Sequence, residues 1–219
     1  LDEGLLEAYD QMRQAQQIQV SDSSRNLIIF HLMGQHVAYQ LRSPKGQKPF
    51  KAQDYRDLRP ELTGNKRKVL ADYDNAVHYN DSIVDQIMAR FEQKDAIVIY
   101  MPDHGEECFE GKRGFICRNH AAKIDYDMAR FEFAIPFWIW CSPRYADRHP
   151  EIFKSIIHAK DRKLMTDALA HTLLYIGGIY SPDYHAEYDV LSPYYKEDRP
   201  RILKGTTDYD SLKMNVQHP

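Results

Sequence analysis

Asp103 and His104, followed by Gly105, are the residues whose types most directly suggest chemistry. A carboxylate oxygen and an imidazole nitrogen suit a divalent metal such as zinc. Two neighbouring side chains can converge on one ion if the backbone turns sharply, and a glycine permits such a turn. Taken alone, however, the tripeptide is better explained by an aspartate that caps the next segment beside an incidental histidine.

Three further histidines are candidates for the same site. His31 and His36 lie five residues apart, with Gly34 between them, after an earlier apolar run. Separately, each is explained by a histidine that bonds a backbone carbonyl. Together they favour the lining of a site, either as phosphate-binding groups or as proton donors. His120 lies sixteen residues after His104 and either returns to the same site or lies on the surface.

The apolar pattern predicts that the Asp103–His104 pair and the His31–His36 pair each follow a buried strand. Residues 26–32 and 96–101 are short apolar runs with β-branched side chains, typical of strands buried on both faces of a parallel sheet. Residues 133–140 predict a third strand, at an edge or a bulge because Pro136 donates no ladder hydrogen bond. Ligands bind beyond the carboxyl ends of such strands. The Asp-His pair and the earlier histidines are therefore expected to line one crevice, and this context favours metal binding by Asp103 and His104.

Helices are predicted wherever apolar residues recur at helical spacing. This pattern covers residues 5–16, 66–93, 150–158 and 163–176. The last helix is expected to end at Gly177 and Gly178 as left-handed caps, and residues 41–65 predict a surface loop. The order of helices and strands indicates an α/β fold, with a largely parallel sheet covered by helices on both faces.

Length and composition indicate one globular domain. The 219 residues are 43% apolar and 28% charged, which suits one sizeable core. We predict an α/β core over residues 1–178 and a wrapping tail over 179–219. The net charge of -3 and the lack of a basic run interleaved with aromatics argue against a nucleic-acid partner. No apolar stretch of 18 residues occurs.

The cysteines leave two interpretations open. Cys108 and Cys117 flank a short glycine-containing loop. They predict a disulfide in an oxidising compartment and two reduced thiols elsewhere. Cys141 ends the third predicted strand and is interpreted as a buried thiol.

Five separated segments resemble, in the same order, the phosphoethanolamine transferases of the alkaline phosphatase and sulfatase superfamily. They are FHLMGQH at 30–36, YDNAVHYND at 73–81, YMPDHGEE at 100–107, the later His120, and IPFWIW at 135–140. The resemblance covers roughly residues 5–179. It implies an alkaline phosphatase-like α/β fold and an enzyme that transfers phosphoethanolamine from a phospholipid to lipid A or a glycan through a phosphorylated threonine.

The resemblance also implies roles for individual residues. Asp103 and His104 match zinc ligands of the family, while His31, His36 and His120 match histidines that line the phosphate side of the site. The family's other ligand, a glutamate, and its threonine nucleophile precede the HxxGxH segment. This sequence begins too late to include them, so we expect these residues alone to be inactive. A bacterial inner-membrane protein, anchored by helices before residue 1 and with this domain in the periplasm, is implied.

Departures from the family pattern keep other functions open. The sequence has Gly-Gln-His-Val-Ala at 34–38 where the family usually has GSHGP, and the interval before His120 is longer. A sulfatase or phosphodiesterase of the same superfamily shares the Asp-His ligands. A sulfatase needs a Cys or Ser nucleophile in a CxPxR-type motif. The Cys-Ser-Pro-Arg sequence of this chain at 141–144 resembles that motif but is one residue too short and follows the Asp-His pair instead of preceding it. A domain that keeps the fold without catalysis is the alternative from another class.

Overall fold

A computed structural model describes residues 1–20, 25–110, 114, 116–118 and 123–217. The chain divides into two compact units, Leu1–Glu92 and Gln93–Pro219. His120 lies outside the described residues.

Two helices dominate the first unit. They are α1 (Glu3–Gln14) and α2 (Gly64–Phe91), and short 3-10 helices lie between them at Tyr39–Leu41 and Ala52–Tyr55. Both predicted helices are confirmed. The Thr63 hydroxyl caps α2 by accepting a hydrogen bond from the Lys66 N–H. Leu6 of α1 and Ile83 of α2 are almost fully buried, so the apolar faces of both helices supply this unit's core.

The predicted strand at residues 26–32 is wrong, because this segment is not a strand in the structure. Leu27 is 72% exposed and Ile29 is 78% exposed. On the other face, the Phe30 ring packs edge-on to Tyr9 at 5.2 Å between ring centroids and also contacts Phe91. The apolar run predicted burial on both faces, but Leu27 and Ile29 are exposed while Phe30 contacts the helices.

The strands of the second unit form three antiparallel pairs. These are β1 (Ile97–Tyr100) with β4 (Trp138–Cys141), β2 (Glu107–Cys108) with β3 (Ile116–Cys117), and β5 (Ile202–Leu203) with β6 (Thr207–Asp208). The predicted strand at 96–101 is confirmed as β1. A largely parallel sheet is not confirmed, since every strand pair among the described residues is antiparallel.

The third predicted strand is shorter than residues 133–140. Its first residue belongs to a π-helical turn at Ala129–Phe133, which follows the short helix α3 (Tyr126–Met128). The N–H of Ala134 closes this turn on the carbonyl of Ala129. Pro136 then separates the turn from β4, which pairs with β1 so that Tyr100 lies opposite Trp138 and their rings stack.

Four longer helices complete the second unit. They are α4 (Pro143–Arg148), α5 (Pro150–Ala159), α6 (Leu169–Gly177) and α7 (Tyr209–Gln217). The helix predicted at 150–158 is confirmed as α5. The helix predicted at 163–176 begins later, after a 3-10 turn at Thr166–Ala168, and Gly178 alone adopts the left-handed cap, at φ 59°. None of the described helices is long and apolar enough to cross a membrane.

Candidate functional site

The structure brings Asp103 and His104 together in a turn after β1, which we call the 103–105 turn. The His104 Nε2 atom lies 3.6 Å from the nearer carboxylate oxygen of Asp103. The Asp103 side chain is 88% exposed, whereas that of His104 is 17% exposed. The carboxylate is thus open to an incoming ion or substrate, and the imidazole is held in place by its surroundings.

The hydrogen bond of His104 prepares its other nitrogen for a metal. The Nδ1 atom lies 2.8 Å from the carbonyl oxygen of Gly105, and only a protonated Nδ1 can donate to that oxygen. A neutral His104 therefore carries its lone pair on Nε2, the atom nearest to Asp103. Metal-binding histidines commonly donate their second ring nitrogen in this way.

The separation of these two groups also fits zinc. Two ligands at the usual zinc distances of about 2.0–2.1 Å in a tetrahedral site lie roughly 3.4 Å apart, close to the 3.6 Å between Nε2 and the Asp103 oxygen. Within the described part of the chain, no group of three or more His, Cys, Asp or Glu side chains is arranged to hold a metal ion. Asp103 and His104 therefore fit zinc as two ligands of a larger set.

Gly105 fixes this turn by close packing against the π-helical turn. Its N–H donates to the carbonyl of Glu132 at 3.0 Å. A Cβ atom at position 105 would lie only 2.2 Å from the backbone oxygen of Phe131, so no side chain larger than hydrogen fits. Gly105 was predicted to permit a sharp turn, and in the structure it is also required for the close approach of two backbone segments.

His31 and His36 are both exposed and lie in the first unit. His36 lies in a tight turn at residues 33–37, which we call the 33–37 turn, and its N–H donates to the carbonyl of Met33. Its Nδ1 lies 2.6 Å from the carbonyl oxygen of Val37, so Nδ1–H donates and Nε2 faces outward as an acceptor when the ring is neutral. An outward Nε2 suits a proton transfer or an anion contact after protonation.

Two charged side chains that the sequence analysis missed hold the 33–37 turn. The carboxylate oxygens of Asp2 accept hydrogen bonds from the N–H groups of Met33 and Gly34, at 3.0 and 2.8 Å. The Arg42 guanidinium donates to the carbonyls of His36 and Val37, at 2.7 and 2.9 Å. Asp2 is 31 residues from Met33 in sequence, and no short motif relates the two.

Asp103 and His104 line a cavity of about 900 Å³ that lies entirely within the second unit. Its apolar walls come from the segment before β4, from β4 and α5, and from the tail strand β5. Several of these side chains are half-buried and pack against core clusters centred on Met128 and Leu191. The volume lies at the upper end of the range for small-molecule sites.

Charged side chains also line this cavity, and one of them, Arg201, forms an ion pair with Asp210. Arg201 donates to both oxygens of Asp210, at 2.6 and 3.0 Å. This hydrogen bonding holds the pKa of the Asp210 carboxyl below its usual range. The run Lys-Asp-Arg-Lys at 160–163 also lines the cavity, and this cluster of charges was a sequence signal for its charged lining.

The cysteines are free thiols in the structure. Cys108 lies opposite Ile116, and Cys117 lies opposite Glu107, so the two cysteines do not face each other across the strand pair. Burial raises the pKa of the Cys141 thiol to about 11. That thiol is therefore protonated near neutral pH and does not suit the role of a nucleophile.

Comparison with known proteins gives a consistent result. The protein-family model for sulfatases matches residues 7–179. A phosphoethanolamine transferase, EptC, from Escherichia coli is 28% identical over 209 residues, covering 92% of this chain and 35% of that protein. A Kdo(2)-lipid A phosphoethanolamine 7''-transferase from Salmonella typhimurium is 30% identical over 159 residues, covering 69% of this chain and 25% of that protein.

A solved structure agrees with these sequence matches. The crystal structure of the C-terminal periplasmic domain of Escherichia coli EptC, in complex with zinc, superposes with a TM-score of 0.67 at 27% identity. The match covers 85% of this chain and 52% of that one. The chain spans about a third of the length of the EptC transferase that it matches. The α/β fold class is thereby confirmed.

Proposed function

The chain belongs to the sulfatase family and resembles its phosphoethanolamine transferases, and we propose that it is part of such a transferase. The proposed reaction moves phosphoethanolamine from a phospholipid to lipid A or a cell-envelope glycan. Two relatives are named phosphoethanolamine transferases, which supports phosphoethanolamine as the transferred group. The name of the Salmonella typhimurium relative supports a lipid A acceptor.

The observation that carries this proposal is the pairing of Asp103 with His104 directly after β1. The Nδ1–H of His104 donates a hydrogen bond to the Gly105 carbonyl, so the unprotonated Nε2 is the nitrogen nearest the Asp103 carboxylate. These two side chains would hold a zinc ion, as two of its ligands. Bound there, zinc would supply positive charge for phosphoryl oxygens and would favour ionisation of an attacking hydroxyl.

The remaining steps of the proposed mechanism fall to other groups. A threonine hydroxyl attacks phosphorus, a new Thr–O–P bond forms, and the bond to the leaving alcohol of the donor lipid breaks. A histidine protonates that leaving oxygen. His31, His36 and His120 are the candidates for holding the phosphate and for this proton, and the outward Nε2 of His36 suits either task. The acceptor hydroxyl then attacks phosphorus and loses its proton, the Thr–O–P bond breaks, and the threonine oxygen regains a proton.

The same comparisons support a location for the domain. The solved relative from Escherichia coli is a periplasmic domain. We place this chain in the periplasm, facing the inner membrane that carries a phospholipid donor, with membrane attachment supplied by helices outside these residues. Helices α1 and α5 each have one hydrophobic and one polar face, which suits a domain that faces water.

Metal analysis of the full-length protein tests the proposal. We expect the double variant Asp103→Ala with His104→Ala to retain less than about a tenth of the zinc of the unmodified protein, because removing two ligands weakens a structural or catalytic zinc site severely. Zinc is measured by mass spectrometry after dialysis, alongside transfer of phosphoethanolamine to lipid A.

A matched control separates ligand loss from a general effect of the substitutions. Asp147 and His158 are an exposed aspartate and an exposed histidine of the same unit. The double variant Asp147→Ala with His158→Ala is expected to keep its zinc. Normal zinc content in the Asp103/His104 variant would overturn the assignment. Residues 1–219 alone, with two ligands, are expected to bind zinc weakly.

A further inference from the structure

The segment at residues 42–68, which we call the basic segment, leads from the 33–37 turn into α2. It contains nine cationic and three acidic side chains, a net charge of +6, compared with -3 for the whole sequence. All of it belongs to the first unit. A surface with such an excess of positive charge attracts anionic partners. Asp103 and His104, in the second unit, do not account for this charge.

Contacts with one turn of α2 hold the basic segment in place. The Phe50 N–H donates to the side-chain oxygen of Asn75 at 3.0 Å, and the Asn75 amide donates back to the Phe50 carbonyl at 2.9 Å. The Tyr55 hydroxyl donates to Asp74, and the Tyr55 side chain is buried. Asp74 and Asn75 are adjacent on the helix, so these contacts bring residues 50 and 55 close together on a fixed surface.

Four cations of the basic segment form no ion pair within the part of the chain that the structure describes. The four, all exposed, are Lys45, Lys51, Arg56 and Lys68. Two carboxylates of the segment already have partners, since Glu61 pairs with Arg59 at 2.6 Å and Asp54 accepts the backbone N–H of Lys51 at 2.8 Å. The excess positive charge is therefore not neutralised locally and faces the solvent.

The first turn of α2 adds cations where helix stability disfavours them. Lys66 and Arg67 lie in this turn, and no acidic residue lies there. The N-terminal end of a helix carries partial positive charge, so cations near it are unfavourable. The stability of α2 therefore does not explain these two residues, whereas contact of this end of the helix with an anionic surface would.

Large apolar side chains are exposed beside these cations. Leu41 is 65% exposed, Leu58 is 75% exposed, and Phe50 is 39% exposed. Phe50 directly precedes Lys51, and Leu58 follows closely after Arg56. Protein surfaces that rest on a bilayer combine cations for the headgroups with large apolar side chains for the acyl boundary. A soluble acidic polymer would contact the cations alone and leave both leucines in water, so the combination favours a bilayer.

We propose that the basic segment, together with Leu41, is a docking surface for an anionic lipid bilayer. The cations contact the anionic headgroups, while Leu41, Phe50 and Leu58 enter the boundary between headgroups and acyl chains. The contact is with the bilayer as a surface, through lipids that take no part in the transfer reaction. It rests on the proposed function only for the location of the domain beside a membrane, and its role is to orient the first unit against that membrane.

Hydrogen exchange of the full-length protein in lipid nanodiscs tests this inference. The discs contain either phosphatidylcholine alone or an equal mixture of phosphatidylcholine and anionic phosphatidylglycerol. We expect amide exchange over residues 41–62 to be at least about threefold slower in the anionic discs, because each cation near an anionic surface adds to the attraction. Salt at about 1 M, where the Debye length is about 3 Å, is expected to remove this difference.

Variants assign the protection to named side chains. The cation variant, in which Lys45, Lys51 and Arg56 are each replaced by Gln, is expected to lose the difference between the two kinds of disc. Its matched control replaces three exposed cations of the second unit by Gln, namely Lys123, Arg144 and Lys154, and is expected to keep the difference.

The apolar contribution has its own pair of variants. Leu58→Ser is expected to reduce the protection in anionic discs, whereas Ile179→Ser, at an exposed isoleucine of the second unit, leaves it unchanged. Exchange of the buried α2 amides checks that every variant is folded, because these amides exchange slowly only while the helix is intact.

The outcomes separate this inference from its rivals and from the proposed function. Equal exchange in the two kinds of disc overturns the docking surface, as does protection that survives in the cation variant. If soluble polyglutamate slows exchange in phosphatidylcholine discs as much as anionic lipid does, the partner is an acidic polymer and the bilayer contact is wrong. Lipid-dependent protection supports the surface whether or not the Asp103/His104 variant loses its zinc, so the two proposals can fail independently.

Discussion

The 33–37 turn contains the candidate residue His36, and the 103–105 turn contains the candidate residues Asp103 and His104. Different interactions hold the two turns in place. The 103–105 turn is fixed by backbone packing, since Gly105 bonds to Glu132 and lies against the Phe131 carbonyl. The 33–37 turn is fixed by charged side chains, Asp2 on its N–H groups and Arg42 on its carbonyls.

This difference predicts different tolerance to substitution. A backbone oxygen within a hydrogen-bonded turn cannot move away from an added methyl group, so the 103–105 turn depends on one glycine. Each hydrogen bond in the 33–37 turn has a modest net value because water competes for the exposed groups. Precise positioning suits Asp103 and His104 as the proposed ligands of one ion, whereas an exposed histidine proposed to contact a phosphate would tolerate more motion.

Gly105→Ala is the substitution with the largest expected effect. The added Cβ would lie 2.2 Å from the Phe131 oxygen and 3.3 Å from the Ala134 oxygen. Both are backbone atoms, so relief requires displacement of the π-helical turn, at a cost of about 3 kcal/mol or more in unfolding free energy. Urea unfolding measures this loss, and zinc content is expected to fall with it.

Gly46→Ala is the control for that measurement. A Cβ at position 46 would meet nothing within 4 Å, so the unfolding free energy should change by less than about 0.5 kcal/mol. If Gly105→Ala unfolds at the same urea concentration as Gly46→Ala, the packing account of the 103–105 turn is wrong.

Gly34→Ala tests the other turn at the matching position. Gly34 has φ 50°, and its added Cβ would lie 3.3 Å from a side-chain oxygen of Asn80. A left-handed backbone costs a residue with a Cβ about 1–2 kcal/mol, and a side-chain amide can shift by the few tenths of an ångström required. The loss in urea unfolding is therefore expected to be about 1–2 kcal/mol. A loss as large as that of Gly105→Ala would remove the contrast between the turns.

Local patterns in the sequence predicted much of the fold. Helices α1, α2 and α5 and strand β1 follow from the spacing of apolar residues over one segment. The same reasoning failed at residues 26–32, because a continuous apolar run says nothing about which neighbours cover it. The antiparallel pairing of β1 with β4 was equally invisible, since a short apolar strand has the same composition in either direction.

The candidate site was predictable where its residues are adjacent in sequence. Asp103, His104 and Gly105 form one motif, and family resemblance gave that motif a role. Asp2 contacts a turn 31 residues away. Lys163 contacts Asp210, which lies 47 residues further along the chain and is also bonded to Arg201. Such contacts depend on tertiary structure, so neither periodicity nor motif spacing contains them.

Asp2→Asn is the smallest of the expected effects, because it alters one side-chain clamp and leaves the backbone of the 33–37 turn unchanged. One of the two oxygens that accept from Met33 and Gly34 becomes an amide nitrogen, which leaves one N–H unpaired at a cost of about 1 kcal/mol. Hydrogen exchange of the Met33 and Gly34 amides should accelerate about fivefold, while Glu7→Gln, an exposed change on α1, leaves them unchanged. Unaltered exchange in Asp2→Asn would show that the turn is held without this carboxylate.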